Sequence, residues 1–499
     1  MKSLQAPLGR DAVRATAWSL IQNVGGRGLS FLVFIALARL LPATDFGVIA
    51  LAASIMAVCT VFLEMGCAEA LVQRDTVTDE HVNGVFWTTI GISTLLAAGV
   101  VVAGGPIARV FSVPALETIL PVLAGTLPFT ATSIVLAAHL RRQLAFKALA
   151  YRTIVVNIAS AVVGLGMALM DMGVWSLVGK TVVEAAVGVV VLGLSTPWRP
   201  RFGLSRLAMR QLAPFGLNML GSKVAQLLSS SADKWVIGYF TGTHSLGIYN
   251  TAQRVFSFPM DLLPAAANSV LLPTLSRLQS DPVRAKRALL EAVRAVALVS
   301  CPIFGILVVT MSELVPLVLG ASWNEAIVPA QIFCAGGIVF SVNYLLPTVW
   351  IAQGHADWFF RFSIVNGVAN LAGFVVGVHW GPTGVALAYV LRGVLVSFPM
   401  SLYLVRRAVG CSPAEVLSAV ALPFAVTLLI IGAVQAVALI TPADAPHLVR
   451  LLALTATALC AFTAAMGLFA RGELTALARK LSTAFPWMRK FLGSQNEIA

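Results

Sequence analysis

The chain is 499 residues long, 58% hydrophobic and only 11% charged, with a formal net charge of +13 and a mean hydropathy of +0.89. A water-soluble domain carries about a quarter of its residues as charges, so this composition excludes one and assigns an integral membrane protein. Apolar stretches of about 20 residues, the length of a bilayer-spanning helix, recur along the chain, whereas the alternation of a membrane barrel is absent.

The N-terminal MKSLQAPLGRDAVRATAWS has no short apolar run before a small-residue cleavage site, so the first span is expected to be retained. Spans are predicted near 17–41 and 46–70, joined by ARLLPATDFGVIALA (38–52). There Pro42 and Gly47 are expected to break the helix, Asp45 to cap the next one, and Arg39 to face the outer surface or the mouth of a cleft. After an inner loop at 71–83 come spans near 84–104, 118–140, 150–170 and 173–194. A cytoplasmic amphipathic linker, 195–213, leads to spans near 214–241, 245–273, 286–311, 326–352, 359–379 and 382–405. Two more, near 416–440 and 447–470, precede a cytoplasmic tail at 471–499. The segments 202–212 and 474–492 mix leucine and aromatic residues with arginine and lysine, a pattern suited to an anionic membrane surface.

The fold class is therefore all-α, with about fourteen transmembrane helices. The expected domains are an N-terminal lobe (1–194), a C-terminal lobe (214–410) and two additional spans within 411–470. Polymerases and glycosyltransferases of membranes usually carry a large outer loop or cytosolic domain, and neither is present. Basic residues such as Arg14, Arg74, Arg141, Arg152, Arg201, Arg284 and Arg407 fall on one side of this layout. By the positive-inside rule both termini are cytoplasmic. The excess of positive charge is thus a topology signal, with no nucleic-acid partner.

Shifting the chain against itself reveals a repeat. Residues 36–52 match 236–252 at a shift of two hundred, with Phe46-Gly47-Val48 on Leu246-Gly247-Ile248. Further on, 73–82 meets 279–288, Gln143 and Asn157 find Gln353 and Asn366, and GVWSLV (173–178) finds GVALAY (384–389). Two six-helix lobes in parallel repeat, with a site near the midplane, are the usual plan of an alternating-access transporter.

Ionisable groups within spans are costly and so are functional candidates. Arg27, Lys223, Arg392, Lys180 and Arg254 are candidates for an anionic headgroup, with Arg39 and Lys234 nearer the outer ends. Lys223 aligns one helical turn from Arg27, and Lys180 with Arg392, so both lobes are expected to send cations into a cleft. The acids Asp233, Asp261, Glu184 and Glu64 are fewer, which suits an anionic headgroup better than a cationic drug. The plainer alternative is pairing within the bundle, Lys180 with Glu184 and Arg254 with Asp261. Six dispersed cysteines and six dispersed histidines make neither a C-x-x-C nor a metal constellation. GVWSLVGKT (173–181) has five residues between its glycines where a phosphate loop has four, and no strand precedes it. Small-residue spacings such as Gly373 and Gly377 are read as close helix packing.

ARLLPATDFGVIALA, FLEMGCAEALVQRDTVTDEHVNGVFW, LRRQLAFKALAYRTI, GVWSLVGKTVVEA and DKWVIGYFTGTHSLGIYNTAQRVFSFP together resemble the polysaccharide-transport branch of the multidrug/oligosaccharidyl-lipid/polysaccharide (MOP) exporter superfamily. The resemblance runs over roughly residues 15 to 410. It implies a Wzx-type flippase of the bacterial inner membrane that moves undecaprenyl-pyrophosphate-linked oligosaccharide repeat units to the periplasmic leaflet. It further implies a role in exopolysaccharide, capsule or O-antigen (lipopolysaccharide) assembly, beside polysaccharide polymerase and glycosyltransferases. No cofactor is expected; inward proton or sodium flow would reset the carrier, through Asp233, Asp261, Glu184 or Glu64. The competing readings are a lipid II flippase, a cation-coupled multidrug antiporter, which would show an acid-rich cavity, and a membrane polymerase or ligase.

Overall fold

Helix is the regular structure found throughout the described residues, as a backbone in lipid requires. The computed structural model describes residues 25–64, 78–143, 145–201, 227, 231–442 and 446–469. In chain order these form α1 (Gly26–Leu40), α2 (Ala43–Glu64), α3 (Asp79–Val110), α4 (Ala115–Ala124), α5 (Leu127–Arg142), α6 (Phe146–Leu169) and α7 (Trp175–Ser195). Helix α8 covers 231–240, followed by α9 (Gly242–Arg277), α10 (Pro282–Val318), a 3₁₀ turn (Ala321–Ala326), α11 (Ile327–Asn343) and α12 (Pro347–Ala352). Then come α13 (Ala356–Gly377), α14 (Gly381–Arg392), a π turn (Gly393–Ser397), α15 (Phe398–Val409), α16 (Pro413–Ile440) and α17 (His447–Phe469).

Ten helical stretches among the described residues are long and apolar enough to cross a membrane. The spans expected near 359–379 and 382–405 correspond to α13 and to α14–α15, separated by a turn at 378–381 where Gly381 takes a positive φ of 65°. Those expected near 17–41 and 214–241 run into residues outside the description, as do 202–212 and the tail. The span near 245–273 corresponds to α9, which stays helical through Pro259, Pro264 and Pro273.

By compactness the chain divides into two units. The first comprises Met1–Arg254, Val318–Pro329 and Ser363–Tyr389; the second comprises Val255–Leu317, Ala330–Phe362 and Val390–Ala499.

In the first unit, the junction at 38–52 departs from the sequence expectation at two residues. α1 ends at Leu40 and α2 begins at Ala43, so Pro42 lies in the turn, and Asp45 sits inside the first turn of α2 instead of at its cap position. Gly47, however, does not break the helix; it lies inside α2. Its missing side chain allows a close approach instead. A Cβ at Gly47 would stand 1.7 Å from the carbonyl oxygen of Thr243, and one at Gly247 would stand 1.8 Å from that of Ala43. The contact is reciprocal, pairing 43 with 247 and 47 with 243. Such self-complementary packing is what a two-fold axis produces. The repeat found as a shift of two hundred is thus also a pseudo-symmetric contact in space.

Around this contact, Phe34, Phe46 and Trp323 form an edge-to-face chain with ring centroids 5.7 and 5.3 Å apart. The indole N–H of Trp323 donates to the Ala38 carbonyl at 2.7 Å. A second core gathers Phe86, Leu136, Leu140, Leu149, Leu192 and Trp198. Between α13 and α14, Gly373 packs on Ala388 and Gly377 on the Gly384 carbonyl, the close helix approach that small residues permit in lipid.

The core of the second unit is built on Leu289, Val293, Cys301, Trp350, Val405 and Val416. α16 and α17 pack through Val426, Ile430 and Val434 against Leu454 and Ala458. A buried carboxylate also ties α17 to α10: Glu313 accepts from Arg450 Nη1 at 2.9 Å and lies 2.6 Å from His447 Nδ1.

Candidate functional site

The intramembrane charges of the first unit gather on α6 and α7, an antiparallel pair. Gly164 faces Lys180, Ser160 faces Glu184, and Arg152 faces Gly188. On α7 the positions 180, 184 and 188 share one face at successive turns; on α6 positions 153, 157, 160 and 164 do the same. Lys180 Nζ donates to Glu184 Oε1, and Ser160 Oγ donates to the same oxygen at 3.4 Å. The i,i+4 pair expected from the sequence is therefore formed, and Gly179-Lys180-Thr181 lies inside a helix rather than in a phosphate loop.

Arg152 comes from the N-terminal part of α6 and reaches across to α7. A Cβ at Gly188 would lie 3.0 Å from its Nη2, so glycine there makes room for the guanidinium. Its Nε is buried and has no hydrogen-bond partner among the described residues. Arg254, from α9, turns toward α1: its Nη2 donates to Ser30 Oγ at 3.3 Å and its guanidinium carbon lies 4.6 Å from the centre of the Phe34 ring, a cation–π distance. Glu184 acts electrostatically on both Arg152 and Arg254. α1 is anchored to the same face of α6, because Asn157 Nδ2 donates to the Gly26 carbonyl at 3.3 Å and Thr153 occupies the space of a Gly26 side chain. Arg27 follows Gly26 directly and is exposed.

Lys180 is thus paired with Glu184, and Arg152 and Arg254 reach the same packed helices within the range of its charge. Such a set has surplus positive charge and, among the described residues, a guanidinium N–H without an acceptor. Arginine forks match phosphoryl oxygens with paired, charge-assisted bonds, and a low local dielectric strengthens each one. Glu184 holds Lys180 in place.

The other sequence candidates are spread more widely. Lys223 lies outside the described residues. Arg392 ends α14 in the second unit, part-buried, just before the π turn; such turns often occur at functional sites. Asp261, also in the second unit, is exposed on α9. Arg39 is exposed, and its Nε donates to the Val318 carbonyl at 2.8 Å. Asp233 is buried and accepts from Tyr249 Oη at 2.9 Å, Gln253 Nε2 at 3.2 Å and the backbone N–H of Lys234 at 2.8 Å; Lys234 itself is part-exposed. Glu64 ends α2 on the wall of a cavity. Of the candidates, the structure pairs Lys180 with Glu184, and Arg254 meets α1, the helix that carries Arg27 and packs on α6. Arg152 falls in the sequence among the basic residues of the topology signal, and only its packing against Gly188 across the helix interface sets it apart.

Residues 36–328 match the family model described as polysaccharide biosynthesis protein. The chain belongs to this family. Within the polysaccharide biosynthesis family it is similar to two curated proteins in particular. One is the succinoglycan biosynthesis transport protein ExoT of Rhizobium meliloti, 26% identical over 372 residues and covering 74% of each chain. The other is the lipopolysaccharide biosynthesis protein WzxC of Escherichia coli, 21% identical over 428 residues, 84% of this chain and 86% of that one. Among solved structures it resembles the lipid II flippase MurJ in its inward closed conformation, with a TM-score of 0.76 at 14% identity over 92% of this chain and all of that one. It also resembles an inward-facing multidrug transporter of the MOP superfamily, TM-score 0.60 at 14% identity, over 77% and 94% of the two chains. These likenesses show the fold, the multi-span helical fold of MOP transporters. The stretch matched to the polysaccharide biosynthesis family contains Arg152, Lys180, Glu184 and Arg254, and starts after Arg27.

Proposed function

We propose that the chain flips a lipid-linked oligosaccharide across the bacterial inner membrane by alternating access, as a transporter and not an enzyme. The substrate is an undecaprenyl-pyrophosphate-linked repeat unit, moved from the cytoplasmic to the periplasmic leaflet for exopolysaccharide, capsule or O-antigen assembly. Polysaccharide polymerase and glycosyltransferases act before and after it, and both termini lie in the cytoplasm. The observation that carries this reading is the surplus of cations on the packed helices α1, α6, α7 and α9, where Arg152, Lys180 and Arg254 outnumber the carboxylate of Glu184 among the described residues. The set has the sign and the donor types for pyrophosphate, while the lipid tail stays in the bilayer. The names of the relatives, a succinoglycan transport protein and a lipopolysaccharide biosynthesis protein, support the same class of cargo. Proton or sodium entry through one of Asp233, Asp261, Glu184 or Glu64 would reset the carrier.

The test is headgroup translocation in proteoliposomes that hold the purified chain and a fluorescent pyrophosphate-linked saccharide. Translocation is read as access to an external modifying enzyme. A lost charge-assisted bond is worth about 1.5–3 kcal/mol, so Arg254→Gln and Arg152→Gln should each slow transport by roughly ten- to a hundredfold. Arg27→Ala belongs in the same series. No translocation by the wild-type chain, or equal rates for wild type and all three variants, would overturn the proposal.

A further inference from the structure

A second polar surface in the first unit lies beside the charge cluster, on an adjoining face of α7. It walls a cavity of about 400 Å³ between α2, α4–α5 and α7. One face of α2 contributes Ile49, Met56, Thr60 and Glu64; α4–α5 contribute Leu123, Thr126, Leu127 and Thr130; α7 contributes Thr181. The volume falls in the range of small-molecule pockets, about 300–1,000 Å³, and is far beyond what a single ion fills.

The hydrogen bonding of the wall is one-sided. Thr60 donates to the Met56 carbonyl at 3.0 Å, Thr126 to Leu123 at 2.6 Å, Thr130 to Thr126 at 3.0 Å and Thr181 to Leu177 at 2.9 Å. A hydroxyl has one proton, so all four face the cavity as acceptors, and Glu64 adds a carboxyl group at one end. Phosphoryl oxygens, which only accept, find no partner among the described residues of this wall. A sugar ring does, because its edge carries hydroxyl donors and its faces carry C–H groups for Leu123, Leu127 and Ile49. We infer that this threonine-lined cavity holds a sugar ring of the transported headgroup, while the neighbouring cations hold its pyrophosphate. The inference rests on the transport reading above and assigns Thr60, Thr130 and Thr181 as residues that set specificity for a glycosylated cargo.

Two measurements test it. In proteoliposomes, the wild-type chain should flip a fluorescent undecaprenyl-pyrophosphoryl disaccharide faster than bare fluorescent undecaprenyl pyrophosphate. In the combined isosteric variant Thr60→Val, Thr130→Val, Thr181→Val that ratio should fall roughly tenfold or more, through the loss of three accepted bonds. The same ratio in variant and wild type would overturn the assignment. Independently of whether the triple variant folds, Ala57→Cys places a thiol on the cavity wall of an otherwise native chain. Its alkylation by N-ethylmaleimide, read by mass spectrometry in detergent, should slow with a water-soluble pyrophosphoryl disaccharide at concentrations where inorganic pyrophosphate has no effect. Equal protection by both, protection by neither, or protection by the apolar cation ethidium alone would overturn the sugar site. Absence of flipping of either lipid by the wild type would instead overturn the transport reading, and the alkylation result separates the two failures.

Discussion

An alanine at position 47 would set its Cβ 1.7 Å from the Thr243 carbonyl oxygen, and one at 247 would set it 1.8 Å from that of Ala43. In a free helix the exchange of glycine for alanine stabilises by about 1 kcal/mol. Overlap with a neighbouring backbone, which no rotamer change relieves, costs about 1–3 kcal/mol and often more, so the steric term wins. Gly47→Ala and Gly247→Ala should each lower the thermal midpoint in detergent. Gly91→Ala, where the added carbon meets open space inside α3, should hold or raise it. A midpoint unchanged at 47 and 247 would refute the reciprocal contact. Single residues were read unevenly from the sequence for the same physical reason. The Lys180–Glu184 pair depends only on helical spacing and was legible. Gly47 and Arg152 depend on what lies across a helix interface, and neither propensity nor distance to the nearest loop contains that information.

At the scale of helices, apolar length located most spans, because the bilayer fixes that length from outside the protein. What it does not fix is how terminal helices are held, and here the second unit supplies its own device. Glu313 on α10 is 5% exposed, while its partners on the first turn of α17, Arg450 and His447, are 22% and 55% exposed. Removing one partner of a buried ion pair costs about 3–5 kcal/mol, because the other is stranded; partial exposure of Arg450 places this case at the low end. Glu313→Leu should therefore loosen α17, seen as a lower thermal midpoint and faster proteolysis after residue 440. The double variant Glu313→Leu, Arg450→Leu should recover most of the loss, since no charge is then left without a partner. Equal destabilisation in the single and double variants would show that the pair does not carry the contact. No local pattern announces this tie, because its members stand 134 and 137 positions apart along the chain.

Along the whole chain, the shift of two hundred aligns 43 with 243 and 47 with 247, and the reciprocal glycine contact joins these same four positions in space. The cationic site was legible as a sign of charge, and less so as a set of residues, because α1, α6, α7 and α9 assemble it from distant parts of the chain. Its charge makes a statement about the transport cycle that no single residue makes. The cations Arg152, Lys180 and Arg254 exceed Glu184 by about two charges, and each phosphoryl group of a pyrophosphate diester carries one negative charge, as backbone phosphates do. The loaded site is then close to neutral, whereas the empty site is positive. A potential that is negative inside acts with about 2.3 kcal/mol per charge per 100 mV, so it should act mainly on the inward return of the empty carrier and little on the outward movement of the loaded one. Net efflux from proteoliposomes should accelerate when a potassium diffusion potential makes the cytoplasmic side negative. Exchange with substrate on both faces, in which the carrier never returns empty, should be nearly indifferent to that potential. Glu184→Gln adds one more uncompensated positive charge to the loaded carrier, and exchange should then become voltage-dependent, slowing at negative-inside potential. Voltage-dependent exchange in the wild-type chain would show instead that charge crosses the membrane on the loaded step, and that the cluster does not neutralise its cargo.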